Sequence, residues 1–159
     1  MVSRLAFRFD RAGRTMTVSA EVDSESKHGW VTADRWTCPA PVKTSGAELD
    51  EAMTRESAAH GWSLTGDPVA TDRDEIVVAA EPADWRDVLE AAARHRTARL
   101  ADFQSADLAW QGLVHHAPRR GAKGYVGAIE IAEMVGFTRH RIYQIQGVGK
   151  TAAQFPPKD

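Results

Sequence analysis

The stretch Ala128-Ile-Glu-Ile-Ala-Glu-Met-Val-Gly-Phe-Thr-Arg-His-Arg-Ile-Tyr-Gln-Ile-Gln146 predicts two short helices joined by a tight turn. Gly136 stands at the turn, where a positive φ is often required and glycine adopts it without strain. Thr138 is well placed to cap the amino terminus of the second helix with its side-chain oxygen. Ala132 lies where the two helices come closest, and its small side chain permits the approach. The pattern therefore predicts a helix-turn-helix arrangement.

Apolar residues in this stretch recur at the spacings that place them on one side of each helix. They are Ile131, Val135, Phe137, Ile142 and Ile145. Together with the small residue in the first helix and the glycine at the turn, seven positions satisfy one pattern in order. Such agreement is more specific than a single short motif, and we expect these residues to form a shared core.

The outward side of the second helix, residues 138–146, carries polar and cationic side chains. At 100° per residue, one flank holds Arg139 and Tyr143, the other holds Arg141, and the outermost ridge holds His140 and Gln144. Arginine pairs with guanine and glutamine with adenine, whereas tyrosine and threonine bind phosphate oxygens. This composition favours a helix that enters the major groove of DNA. The alternative is a solvated face on an ordinary helical hairpin.

Two groups of candidate DNA contacts follow from this arrangement. The group expected to make base or near-base contacts comprises Arg139, His140, Tyr143 and Gln144. The group expected to hold phosphates comprises Thr138, Arg141, Lys150, Arg119, Arg120 and Lys123. One such motif covers only a few base pairs, and each good contact discriminates by about 1–3 kcal/mol. We therefore expect a homodimer that binds two half-sites about one helical turn apart.

The segment Glu130-Ile-Ala-Glu-Met-Val-Gly-Phe-Thr-Arg-His-Arg-Ile-Tyr-Gln-Ile145 resembles the helix-turn-helix of excisionase-like and prophage-regulator-like bacterial and phage DNA-binding proteins. The following Gln154-Phe-Pro-Pro157 is similar to the Phe-Pro segment that leads toward a β wing in this group. The resemblance covers about 30 residues at the carboxyl end. It implies sequence-specific DNA binding in transcriptional regulation or as a recombination accessory factor.

The charge of the chain is distributed unevenly, although the formal net charge is only −2. Residues 1–114 contain 13 lysines and arginines against 19 aspartates and glutamates, whereas residues 115–159 contain 7 against 3. A basic end beside an acidic body suits the binding of a polyanion at one end. The asymmetry gains weight because the basic end contains the two-helix motif.

The amino-terminal part predicts a mixed set of elements. Alternating apolar residues on both sides of residues 10–13 predict a β-hairpin, and residues 23–44 look irregular. A capping box formed by Ser45 and Glu48 predicts the start of a helix. A buried strand is expected over residues 75–80, followed by a helix that Pro82 opens.

The predicted fold class is therefore α+β, with two domains. A small α/β-containing domain over residues 1–104 would serve oligomerisation or the binding of a partner or ligand. A helical helix-turn-helix domain over residues 105–159 would bind DNA. The segment 117–124, with two glycines, a proline and three cations, is the expected internal hinge.

Other kinds of chemistry receive little support from the sequence. The run Gly147-Val-Gly-Lys-Thr151 lacks the first glycine of a phosphate-binding loop, because that position is Gln144. The adjacent His115 and His116 point in different directions, and no third metal ligand stands at a helical spacing. The single cysteine, Cys38, allows neither an internal disulfide nor a cysteine zinc cluster. We expect no cofactor, no metal and no enzymatic activity.

The expected partners are double-stranded DNA and a second copy of the chain, with a further protein partner possible through the acidic domain. No membrane partner is expected, because no apolar run approaches the roughly 18 residues of a membrane helix. The expected location is cytoplasmic. The alternative function is a protein-interaction module, an adaptor or antitoxin-like partner, whose helical hairpin docks on another protein. A third alternative is a small enzyme housed in the amino-terminal part.

Overall fold

The computed structural model describes residues 1–25, 27–43, 45–99 and 103–147. These residues form an α+β fold, as the sequence predicts, with one antiparallel sheet and a set of helices. The described strands are β1 (Ser3–Asp10), β2 (Thr15–Asp23), β3 (Trp30–Pro39), β4 (Trp62–Leu64), β5 (Val69–Asp72) and β6 (Glu75–Pro82). The described helices are α1 (Ala47–Ala59), α2 (Trp85–Ala98), α3 (Phe103–His116), α4 (Ala128–Val135) and α5 (Arg139–Gln146).

The sheet is built around the predicted hairpin of β1 and β2. The strand order is β3-β2-β1-β6-β4, and β5 also pairs with β6. The side chain of Asp10 closes the hairpin turn, because its Oδ1 accepts hydrogen bonds from the backbone N–H groups of Ala12 and Gly13, at 3.1 and 3.2 Å. Alternate residues such as Leu5 in β1 and Val18 in β2 are fully buried, and they form the floor of the core.

Strand β3 occupies much of the segment that the sequence pattern left irregular, so that expectation is wrong. Its pairing with β2 is interrupted by a bulge, since Ala20 pairs with Asp34 while Glu21 pairs with Thr32. Ala33 is the extra residue at this point. A bulge reverses which alternate residues face the core, and the simple period of two is therefore lost within the strand.

Two local helix starts differ from the prediction. The capping box of Ser45 and Glu48 is wrong, because Gly46 is the N-cap of α1 and no side chain bonds to that terminus. Pro82 ends β6 instead of opening a helix. The N-cap of α2 is Asp84, whose carboxylate accepts a hydrogen bond from the backbone N–H of Asp87 at 3.1 Å.

Helix α3 joins the parts of the structure on both sides of residue 104. It packs against β2 and β3 of the sheet, against α2, and against α5. Trp110 in α3 is fully buried and meets Phe137 edge-on, with ring centroids 5.5 Å apart. Buried residues of the sheet and of the carboxyl-terminal helices belong to one hydrophobic cluster. The division into domains 1–104 and 105–159 stays a prediction, but the described residues of both parts share this core.

The turn between α4 and α5 has the geometry that its sequence predicts. Gly136 ends α4 in the left-handed conformation, with φ of 70°. The backbone N–H of Phe137 donates to the carbonyl of Ala132 at 2.9 Å. Thr138 caps α5, because its hydroxyl oxygen accepts from the backbone N–H of Arg141 at 3.3 Å. The turn between the two helices is therefore shaped by a glycine that ends α4 and by a threonine, two positions later, that begins α5.

We predict opposite effects on stability when alanine replaces two glycines. Gly136→Ala should lower the free energy of unfolding by about 1–2 kcal/mol, because its left-handed conformation strains any residue with a Cβ. Gly112→Ala should raise it by about 0.5–1 kcal/mol, because alanine favours the helix. A Cβ at Gly112 would meet Val22 at 3.6 Å, an ordinary contact, and one at Gly136 would meet nothing within 4 Å. Urea unfolding checks both values, and equal shifts in one direction would contradict the prediction.

Candidate nucleic-acid interface

Helix α5 exposes the polar side that the sequence assigns to DNA. Ile142 is completely buried at the centre of the opposite side, and Gln146 is also buried. All six candidate contacts of this helix and its cap are exposed, namely Thr138, Arg139, His140, Arg141, Tyr143 and Gln144. The residues expected at the outer surface are thus together on one accessible face.

Three of the exposed side chains of α5 are hydrogen-bonded to one another. The amide nitrogen of Gln144 lies 3.2 Å from Nε2 of His140, within hydrogen-bond distance. The amide oxygen of Gln144 accepts from the guanidinium of Arg141 at 3.4 Å. Exposed hydrogen bonds of this kind contribute little free energy, because water replaces them readily. These hydrogen bonds therefore order the three side chains but leave them able to rearrange around a ligand.

One flank of α5 faces an acidic part of the body. A cleft of about 380 Å³ is lined by residues of α5, of α3, and of the end of β2 with the chain that follows it. Arg141 and Gln144 line it from α5, and Asp23 and Glu25 line it from the opposite side. The other flank, with Arg139 and Tyr143, does not line this cleft. The carboxylates of Asp23 and Glu25 thus share a cleft with the flank of Arg141.

The carboxyl end of α5 is held by two side chains from the end of α3 and the segment after it. His115 Nδ1 lies 2.9 Å from the carbonyl oxygen of Ile145. The guanidinium of Arg119 donates to the carbonyl oxygen of Gln146 at 2.6 Å and to that of His115 at 3.3 Å. Cations at this end also interact favourably with the helix dipole. Arg119, which the sequence assigns to phosphate, is bound in this structure to main-chain oxygens.

The remaining phosphate candidates have different positions. Arg120 and Lys123 are exposed in the loop between α3 and α4. This loop packs on α2, since a Cβ added at Gly124 would lie 3.1 Å from the ring of Trp85. Lys150 lies outside the described residues, as does the segment that resembles the start of a wing.

An ion pair that the sequence did not reveal connects α4 to α2. Arg86 in α2 is hydrogen-bonded to Glu130 in the first turn of α4. This hydrogen bond lowers the pKa of Glu130 and raises the pKa of Arg86. The residues are 44 positions apart, so no local pattern could have paired them. The sequence likewise gave no signal that Asp23 and Glu25 would lie beside α5.

Groups suited to metal or thiol chemistry are scarce in the described part of the chain. No cluster of three or more metal-ligating side chains occurs among those residues. Cys38 is buried, and this burial, with the nearby Glu56, raises the pKa of its thiol to about 11. Desolvation lowers the pKa of His116, and the N-terminal ammonium and His115 act in the same direction. Among the described helices, none combines the length and apolar character needed to cross a membrane.

Comparison of the chain with protein-family models, with curated proteins and with solved structures found no match. The resemblance to excisionase-like and prophage-regulator-like proteins accordingly stays a prediction that rests on the quoted residues.

We predict that Arg119 contributes to stability more than its neighbour does. Arg119→Ala should lower the free energy of unfolding by about 1 kcal/mol, because two main-chain oxygens lose a charged donor. It should also speed amide hydrogen exchange in α5. Arg120→Ala removes the same charge from an exposed position and should leave both quantities unchanged. Equal effects of the two variants would contradict the anchoring role of Arg119.

Proposed function

We propose that the protein binds DNA through α5, with the exposed side of this helix entering the major groove. The observation that carries the proposal is the division of α5 into an inner side anchored by the fully buried Ile142 and an exposed side with arginine, histidine, tyrosine and glutamine. A helix anchored in this way can present side chains to base edges at fixed positions. Transcriptional regulation or assistance in recombination would be the corresponding roles.

The charges around α5 favour one orientation on the duplex. Asp23 and Glu25 lie across the cleft from Arg141, and carboxylates repel phosphates. A duplex approaching from the flank of Arg139 and Tyr143 avoids them. In that orientation His140 and Gln144 lie toward the bases, and Arg139 is nearest to the phosphate backbone. Arg141 would then contribute less than the sequence pattern alone suggests.

Specific recognition by so short a helix calls for a second copy of the chain. Eight residues of α5 can contact only a few base pairs, and a mismatch in each costs about 1–3 kcal/mol. Two copies on half-sites about one helical turn apart would double the contacts. Homodimer formation on DNA is therefore part of the proposal.

The second candidate is a protein-docking role for the α4–α5 hairpin. Large apolar or aromatic side chains are exposed on and beside these helices, since Ile129, Tyr125 and Tyr143 retain 57%, 43% and 39% of their accessible surface. Exposed aromatic residues are enriched at protein interfaces. A docked partner would cover these residues and would not require the cationic flank.

The DNA proposal predicts salt-dependent binding that depends on Arg139. Affinity for a random duplex should fall steeply between about 50 and 200 mM salt, because bound cations release counterions from phosphates. Arg139→Ala should reduce the slope of log affinity against log salt by about one. The control is Arg73→Ala, which removes an exposed arginine near the β1–β2 turn, where the Arg11 guanidinium contacts the Arg73 carbonyl.

Gel shifts or fluorescence anisotropy measure these slopes. No binding to duplex at the lowest salt would contradict the DNA proposal, and so would equal losses for the arginine variant and its control. Loss of a protein partner upon Ile129→Asp, with no DNA binding by the parent protein, would favour the docking alternative.

Gln144 should control sequence preference. Selection from a random duplex pool would first give the preferred sequence of the parent protein. Gln144→Ala should then relax the preference at one position, because glutamine makes paired hydrogen bonds with adenine. Its affinity for random duplex should change little. Equal losses on the selected and random duplexes would contradict this assignment.

A further inference from the structure

We infer that Arg96 in α2 is a positioning residue for α5 and that it acts through Phe137, at the turn before that helix. The guanidinium of Arg96 is hydrogen-bonded to Asp107 in α3, and its Cζ lies 5.1 Å from the centroid of the Phe137 ring. Helices α2 and α3 thus hold one cation against the start of the proposed DNA-binding helix. The effect on DNA binding rests on the proposed function, whereas the effect on the placement of α5 can be measured without DNA.

The ion pair of Arg96 and Asp107 is largely enclosed by protein. The two side chains retain 12% and 20% of their accessible surface. Nε of Arg96 donates to Oδ1 of Asp107 at 2.5 Å, and the amide nitrogen of Gln111 donates to Oδ2 at 2.6 Å. Both oxygens of the carboxylate are therefore engaged, one by α2 and one by a residue of α3 itself. Charge-assisted hydrogen bonds of this kind are short and directional, so they hold the guanidinium in one position.

Two aromatic rings border the guanidinium. Its Cζ lies 5.1 Å from the ring of Phe137 and 5.8 Å from the ring of Trp110. Both distances are within the range of about 6 Å over which a cation is attracted to the face of an aromatic ring. The rings themselves meet edge-on, and Trp110 is completely buried. The cation is thus in contact with a carboxylate and two rings where α2, α3 and the turn before α5 meet.

Phe137 is the residue through which this contact reaches α5. It directly precedes Thr138, which caps that helix. Its backbone N–H donates to the carbonyl of Ala132, and its ring is in contact with Arg96. A displacement of the ring would therefore shift the first turn of α5. Side chains that bind a ligand must be held within about 0.5 Å of their productive positions, so the placement of this turn bears directly on base recognition.

The charges at this junction are better suited to defining a geometry than to raising stability. Removing two charges from water costs free energy that their mutual attraction offsets only in part, and apolar side chains of similar volume are often at least as stabilising. An apolar pair, however, lacks the directional bonds that align the guanidinium with the carboxylate and the ring. We therefore expect Arg96 and Asp107 to affect the position of α5 more than they affect the free energy of unfolding.

The test compares amide hydrogen exchange in α5 with urea unfolding, on the full chain without DNA. Arg96→Leu removes the guanidinium and keeps a good helix former. It should speed exchange in α5 about fivefold relative to the parent protein, which is the change expected from losing one cation–π contact. It should also lower the urea midpoint, because the enclosed Asp107 loses the charge to which it is bonded.

A double variant separates placement from stability. Arg96→Leu combined with Asp107→Leu replaces both charges with apolar side chains, so the urea midpoint should return toward that of the parent protein. Exchange in α5 should stay fast, because the contact of the cation with Phe137 is still absent. The matched control is Arg94→Leu, since Arg94 is an exposed arginine of the same helix. The control should change neither quantity.

Binding to DNA provides a second measurement. Both Arg96 variants should weaken binding to the selected duplex about tenfold, which is the equivalent of one good base contact. Their affinity for random duplex should change much less, because it depends on exposed cations and Arg96 is enclosed. A role in stability alone would lower both affinities by the same factor, through loss of folded protein.

Two results would overturn the inference. One is exchange in α5 of the double variant that returns to the parent rate together with the urea midpoint, since the pair would then act on stability alone. The other is unchanged exchange in both Arg96 variants, or equal acceleration by Arg94→Leu. Fast exchange in α5 of the double variant would support the inference even if no duplex is bound. Its failure and the failure of the DNA proposal are therefore distinguishable.

Discussion

The burial of α3 is the constraint on which the rest of the structure depends. Its central residues, Ala109, Trp110, Leu113 and Val114, have no solvent-accessible surface. They are buried because α3 has the sheet on one side and α2 and α5 on others. Trp110 in particular touches Phe137 at the turn before α5. The placement of the exposed helix α5 therefore follows from the packing of a helix whose central residues are fully buried.

Local patterns in the sequence were sufficient to predict those elements whose structure depends on residues close together in the chain. The hairpin of β1 and β2 followed from alternation around Asp10, and the α4–α5 turn followed from Gly136 and Thr138. Strand β3 was missed because the bulge at Ala33 reverses the alternation. Strands β4 and β5 have three and four residues, too few to display a period. Their pairing with β6 is a long-range property.

In the candidate site, too, local features could be predicted from the sequence, whereas long-range contacts could not. Helical geometry alone identified which side of α5 would be exposed. At 100° per residue, His140 and Gln144 are each two positions from Ile142 and therefore lie nearly opposite to it on the helix. It did not identify the partner of Arg119, since the Gln146 carbonyl that it binds is 27 residues away. It also could not show that Asp23 would be near Arg141. Residue type predicted which groups can bind phosphate, and tertiary structure determined which of them are available.

Charge on the two sides of α5 also bears on the proposed approach of DNA. The net charges of residues 1–114 and 115–159 suggested an acidic body and a basic end that would form separate surfaces. In the folded chain Asp23 at the end of β2 and Glu25 after it line a cleft together with one flank of α5. Screening weakens such effects beyond about 8–10 Å at physiological salt, so only the nearest carboxylates matter. Asp23 and Glu25 line the same cleft as Arg141, so under the DNA proposal they are the carboxylates that would disfavour approach from that flank.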